Sequence, residues 1–143
     1  MRHFRSLGCE VLGLDGSRKA GGLLTEGEFI VHDLVSGPCL SGRRFDAVWC
    51  CEVAEHIEER FAGNLVSTLV GNAERFIFFT HALPGQGGYH HVNCEPPEYW
   101  MEKFGALGYA LGQALTAKAR LLGHNYFAKT GLVFVPHHGQ PAC

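Results

Sequence analysis

Residues 45–57 read FDAVWCCEVAEHI. The first seven mix β-branched, aromatic and cysteine side chains in a nearly unbroken apolar run, the pattern of a strand buried on both faces in a parallel sheet. The run stops at Glu52, which puts a carboxylate at the strand's C-terminal end. In residues 58–73, Phe61, Leu65, Leu69 and Val70 recur at helical spacing among polar residues, which predicts an amphipathic helix. RFIFFT, residues 75–80, predicts the next strand.

Upstream lie two shorter apolar runs, VLGL at 11–14 and FIV at 29–31. The first is closed by Asp15, Gly16 and Ser17 and the second by His32, Asp33 and Leu34, so each predicts a strand with an acid just past its end. Downstream, PGQGG at 84–88 opens a long loop that runs to Pro96 and Pro97, and loops of that length are often functional. Pro97 can begin a helix bearing Tyr99, Trp100, Met101, Phe104 and Leu107, which Gly108 ends. Residues 109–111 predict a short strand and 116–122 a helix. Residues 125–127 and 131–135 read as a final strand pair or one interrupted strand, stopped by Pro136, and the tail 137–143 is expected to fray. Strands alternating with helices predict an α/β architecture.

A chain of 143 residues, 46% hydrophobic and 18% charged, suits a single domain over residues 1–143. A net charge of −2 supplies no field that would hold nucleic acid or an anionic bilayer, which favours a small-molecule partner. The six cysteines are scattered without a C-x-x-C pair, and no signal peptide or membrane-length apolar run is evident; a reduced, soluble, cytoplasmic protein is expected. The nine histidines stand singly or as neighbours rather than at i, i+4 spacing, so no metal site is expected.

In open α/β sheets ligands bind beyond the carboxyl ends of the strands, where Asp15, Asp33 and Glu52 fall. A carboxylate has two acceptor oxygens that match a vicinal diol, and it can equally accept from an exocyclic amine. Each Asp taken alone reads equally well as a turn former or helix cap.

The stretch 45–57 resembles the fourth strand and following loop of the class I S-adenosylmethionine (SAM)-dependent methyltransferases, often written F-D-x-V-x-x-x-E-V-x-E-H. GLDGS at 13–17 is similar to that family's second strand with its ribose-binding acid, and HDL at 32–34 to the motif whose acid meets the adenine amine. The resemblance continues through FIFF at 76–79, GQGGYHHVN at 85–93 and PEYWMEKF at 97–104, and 125–135 is similar to the closing antiparallel hairpin. It implies a Rossmann-like sheet with helices on both faces and SAM as cofactor. Asp15, with Gly16 and Ser17, would hold the ribose; Asp33, with Leu34, the adenine; and the backbone at Cys50, Cys51 and Glu52 would face the methionine part.

The family usually begins with a strand and a D-x-G-x-G-x-G turn, and nothing before Val11 resembles either. Residues 2–10 look instead like the end of the helix that follows that turn. A missing first strand leaves a gap in the sheet or forces its neighbours to pair directly, and it removes backbone N–H groups that glycine brings close to a cofactor. An open central edge favours association, so a homo-oligomer is expected.

Glu55, His56 and His91 are the candidate acid–base residues, because histidine titrates near neutrality and can take a proton from an acceptor. A plainer reading competes: Glu55 and His56 as a helix-start pair with His56 facing solvent, and His91 and Asn93 as hydrogen-bonding groups internal to their loop. Methyl transfer is largely positioning and needs no universal base. The Tyr99, Trp100 and Phe104 cluster reads as core, and Cys50 and Cys51 as inert buried thiols. The function expected is methyl transfer from SAM to a small-molecule or sugar-like acceptor. The alternative is a catalytically inactive protein of this fold with an association or regulatory role. A nicotinamide dehydrogenase would need a G-x-G-x-x-G turn that the sequence lacks.

Overall fold

Two separate ladders organise the chain in the computed structural model, which describes residues 2–23 and 27–137. The tail expected to fray lies, beyond residue 137, outside the described residues. The chain divides into two units, Met1–Cys39 and Leu40–Cys143.

In the first unit a short helix, α1 (Arg2–Ser6), precedes two three-residue strands, β1 (Gly13–Asp15) and β2 (Phe29–Val31). They pair in parallel, Gly13 opposite Phe29 and Asp15 opposite Val31. The parallel register carries both chains past the same sheet end, so Asp15 and Asp33 emerge together. An ion pair between Arg5 and Glu28 links α1 to the turn before β2.

The second unit holds β3 (Phe45–Cys50), α2 (Ala62–Asn72), β4 (Ala73–Phe79), α3 (Pro97–Ala106), β5 (Tyr109–Leu111), α4 (Gln113–Leu122), α5 (Asn125–Thr130) and β6 (Leu132–Pro136). Its sheet runs β3-β4-β6-β5, with β3 and β4 parallel and β6 antiparallel to both its neighbours.

The core of this unit gathers on β4 and α3. Phe79, Trp100, Phe104 and Phe134 are all fully buried, and Phe79 meets the other three rings at centroid distances of 5.0, 5.3 and 6.2 Å. Pro97 starts α3 as expected, and Gly108, at φ +78°, takes the left-handed turn beyond it.

Three expectations need correction. Residues 125–127 form no strand: α5 occupies Asn125–Thr130, and the antiparallel partner of β6 on its outer side is β5. The β3 strand is not buried on both faces, since Asp46, Ala47 and Trp49 are exposed and Trp49 keeps 52% of its surface. It is the outermost strand of its ladder. On α2, Leu65, Val66 and Leu69 are buried while Val70 is only half-buried, a one-position rotation of the expected stripe.

Candidate functional site

Asp15 ends β1, and its Oδ1 accepts the Ser17 backbone N–H at 2.7 Å, which folds Gly16 and Ser17 into a turn. Asp33 follows β2, and its Oδ1 accepts the Val35 N–H at 3.0 Å, capping the short 3-10 turn Leu34–Ser36. The plain reading of these acids therefore holds for one oxygen each. Both residues are exposed at the same end of the β1–β2 ladder. A methyl group at Gly16 would meet only the His32 carbonyl at 3.8 Å, so glycine is not sterically required there.

In the second unit the β3 end is held by Thr80, a buried residue to which the sequence reading gave no role. Its N–H donates to the Cys50 carbonyl at 3.0 Å, and its hydroxyl accepts from the Glu52 N–H at 2.8 Å. The same hydroxyl lies 2.8 Å from Glu52 Oε1 and 3.4 Å from Cys51 Sγ. Glu52 adopts φ +55°, a left-handed conformation that costs a non-glycine residue energy and recurs at functional turns. Burial pushes the Cys50 thiol far up, so this sulfur is an inert core group. A pocket of about 450 Å³ opens beside Cys51 and is walled by Trp49, Phe78 and Phe127, with the Trp49 ring 5.2 Å from each of the other two.

Glu55 lies in a 3-10 turn, Ala54–His56, and is completely buried. Glu55 is thus the first-turn acid of a short helix, as the plainer reading has it, but its side chain is turned into the protein. Among the described residues neither carboxylate oxygen has a hydrogen-bond partner. Burial pushes the carboxyl up, Glu52 adds to that, and its own backbone N–H, His56 and His91 pull the other way. The Glu55 carbonyl accepts from the N–H groups of Val92 and Asn93 at 2.8 and 3.1 Å, which fixes the long loop against the turn. His91 thereby joins Glu55 and His56: one donor atom from each lies within 4.8 Å of the others, and the two imidazoles meet edge to face at 5.1 Å. Asn93 is buried with neither side-chain amide atom partnered among the described residues, so the loop-internal hydrogen bond expected of its side chain is not made. The residues expected to do acid–base work are thus gathered in one place. Sequence spacing could not show this, because His91 arrives from another loop.

No protein-family model matches the sequence, and no curated protein does. Solved structures do match. Magnesium protoporphyrin IX methyltransferase (ChlM) from Synechocystis PCC 6803, with bound SAM, is similar at a TM-score of 0.54 and 19% identity, over 90% of this chain and 59% of that one. LepI in complex with SAM is similar at a TM-score of 0.59 and 12% identity, over 94% of this chain and 39% of that one. The fold is that of the class I SAM-dependent methyltransferases. The chain spans less than two thirds of either relative's length. A pericyclic reaction enzyme is also similar, at a TM-score of 0.58 and 12% identity over 94% of this chain and 39% of that one, so the methyltransferase fold does not by itself fix the reaction. Among the described residues no helix is long and apolar enough to cross a membrane.

Proposed function

We propose that the chain binds SAM and directs its methyl group to a small-molecule or sugar-like acceptor. The observation that carries this is the pair of exposed carboxylates, Asp15 and Asp33, at the C-terminal end of a parallel ladder in a fold whose neighbours were solved with SAM or its product bound. On this reading Asp15 accepts the ribose hydroxyls and Asp33 the adenine amine. SAM supplies a methyl group on a positively charged sulfur. An acceptor lone pair forms the new bond to that carbon, the C–S electrons return to sulfur, and the acceptor's proton leaves to a base or to water. The chain's own contribution is alignment, which accounts for most of the acceleration such a displacement needs.

Isothermal titration with SAM and, separately, with S-adenosylhomocysteine tests the reading. Binding on the order of micromolar is expected, weakened at least tenfold in Asp15→Ala with an unchanged circular dichroism spectrum. No heat with either ligand, from the folded parent chain, sinks the enzyme reading and leaves the inactive association protein in its place.

A further inference from the structure

The Glu55, His56 and His91 cluster has features that positioning a methyl acceptor does not require. Glu55 presents a carboxylate that is wholly buried, with no hydrogen bond to either oxygen among the described residues. An unpaired buried carboxylate is strongly disfavoured, and a cation resolves the conflict. Each histidine is also oriented by a second contact. His56 Nδ1 lies 3.1 Å from the His90 carbonyl and His91 Nδ1 lies 3.2 Å from the Gln86 carbonyl. A carbonyl only accepts, so both protons sit on Nδ1 and both Nε2 atoms keep a free lone pair. A backbone carbonyl holding the far nitrogen is the usual support of a metal-binding imidazole.

We propose that Glu55, His56 and His91 bind one divalent transition-metal ion of the zinc, cobalt or iron(II) class. Two imidazoles and one carboxylate suit these ions, whereas magnesium and calcium select oxygen ligands. One ligand atom from each residue, a ring nitrogen or a carboxylate oxygen, lies within 4.8 Å of the others, and side-chain rotations bring such atoms to the roughly 3.4 Å separation that bonds of about 2.1 Å demand in a tetrahedral site. Gly88 leaves the room: a Cβ there would stand 2.2 Å from His91 Nε2. The bonds from Val92 and Asn93 to the Glu55 carbonyl hold the two ligand-bearing segments together. Three protein ligands leave positions open to an oxygen or nitrogen of a second molecule. If the methyltransferase reading holds, on which this last step rests, that molecule is the acceptor, and the ion would favour its deprotonated form.

The test uses Co²⁺ alone, without SAM, so its failure is separate from failure of the methyltransferase reading. The chelator-treated full chain is titrated with Co²⁺ and followed by visible absorption. One equivalent is expected to bind, with affinity at least tenfold weaker in His91→Ala, His56→Ala and Glu55→Gln and unchanged in His124→Ala. Gly88→Ala, which keeps all three donors but crowds the His91 ring, is expected to weaken binding as well. If Glu55→Gln does not fold, His56→Ala and Gly88→Ala carry the test, because His56 is partly exposed and Gly88 lies in a loop. A parent chain that binds no Co²⁺, or binds it equally well when His56 and His91 are replaced, overturns the proposal.

Discussion

At the residue scale, buried polar groups set how the molecule responds to its conditions. His81 is buried, and burial lowers its pKa; Arg120 acts in the same direction, while the Ala82 and Glu95 backbones and Glu52 oppose it. The folded chain therefore keeps His81 neutral where the unfolded chain takes up a proton, below about pH 6.5. Stability from this group is present above that pH and is lost as the pH falls from there toward the folded-state pKa. Urea denaturation at pH 7.5 and 5.5 is expected to show a drop in the parent that His81→Gln reduces. Thr80 predicts a second outcome. Thr80→Val removes the acceptor for the Glu52 N–H and the donor to its carboxylate, and is expected to cost about 1–3 kcal/mol in chemical denaturation and to disorder the end of β3. Neither role was legible in the sequence. A threonine at the end of an apolar strand gives no sign of its partners, and a histidine after it gives no sign of its burial.

At the element scale the sequence was most informative where one residue enforces one geometry. Pro97 and Gly108 bracket α3 closely, and the apolar runs located every strand except the false one at 125–127. That error has a local cause. Asn125, Tyr126 and Phe127 lie next to an apolar run and read as its continuation, yet Asn125 takes a left-handed φ of +54° at the start of α5. Gly131 then permits a close passage that a larger residue would block: a Cβ there would meet the Phe127 carbonyl at 2.4 Å. Gly131→Ala is expected to lower stability by about 1–3 kcal/mol through this overlap, measurable as a lower denaturation midpoint. The burial of β3 was also misread, because an apolar composition does not reveal a strand's rank in its sheet. The core itself was legible, and Phe79 is its hub. Phe79→Ala is expected to cost about 3–5 kcal/mol and to depress the melting temperature by roughly 10–17 °C.

At the scale of the whole molecule, the fold class followed from the alternation of elements, and the candidate site followed only in part. Asp15 and Asp33 declared themselves by standing just past strands. Glu55, His56 and His91 were named from their chemistry, but their meeting was not legible, because chain distance hides what tertiary structure brings together. The end strands of the second unit's ladder are β3 and β5, and an edge strand left uncovered favours pairing with another chain. The expected mass in solution is accordingly a multiple of 15.7 kDa, and sedimentation giving a monomer at micromolar concentration would count against a homo-oligomer. The bonds from Val92 and Asn93 to the Glu55 carbonyl also have a consequence in time. They close a loop that contains α2 and β4, and closing a loop of that length costs chain entropy before its contacts are made. His91 is therefore held to Glu55 and His56 only while that loop stays closed, and a nascent chain that ends before residue 91 does not yet own this trio.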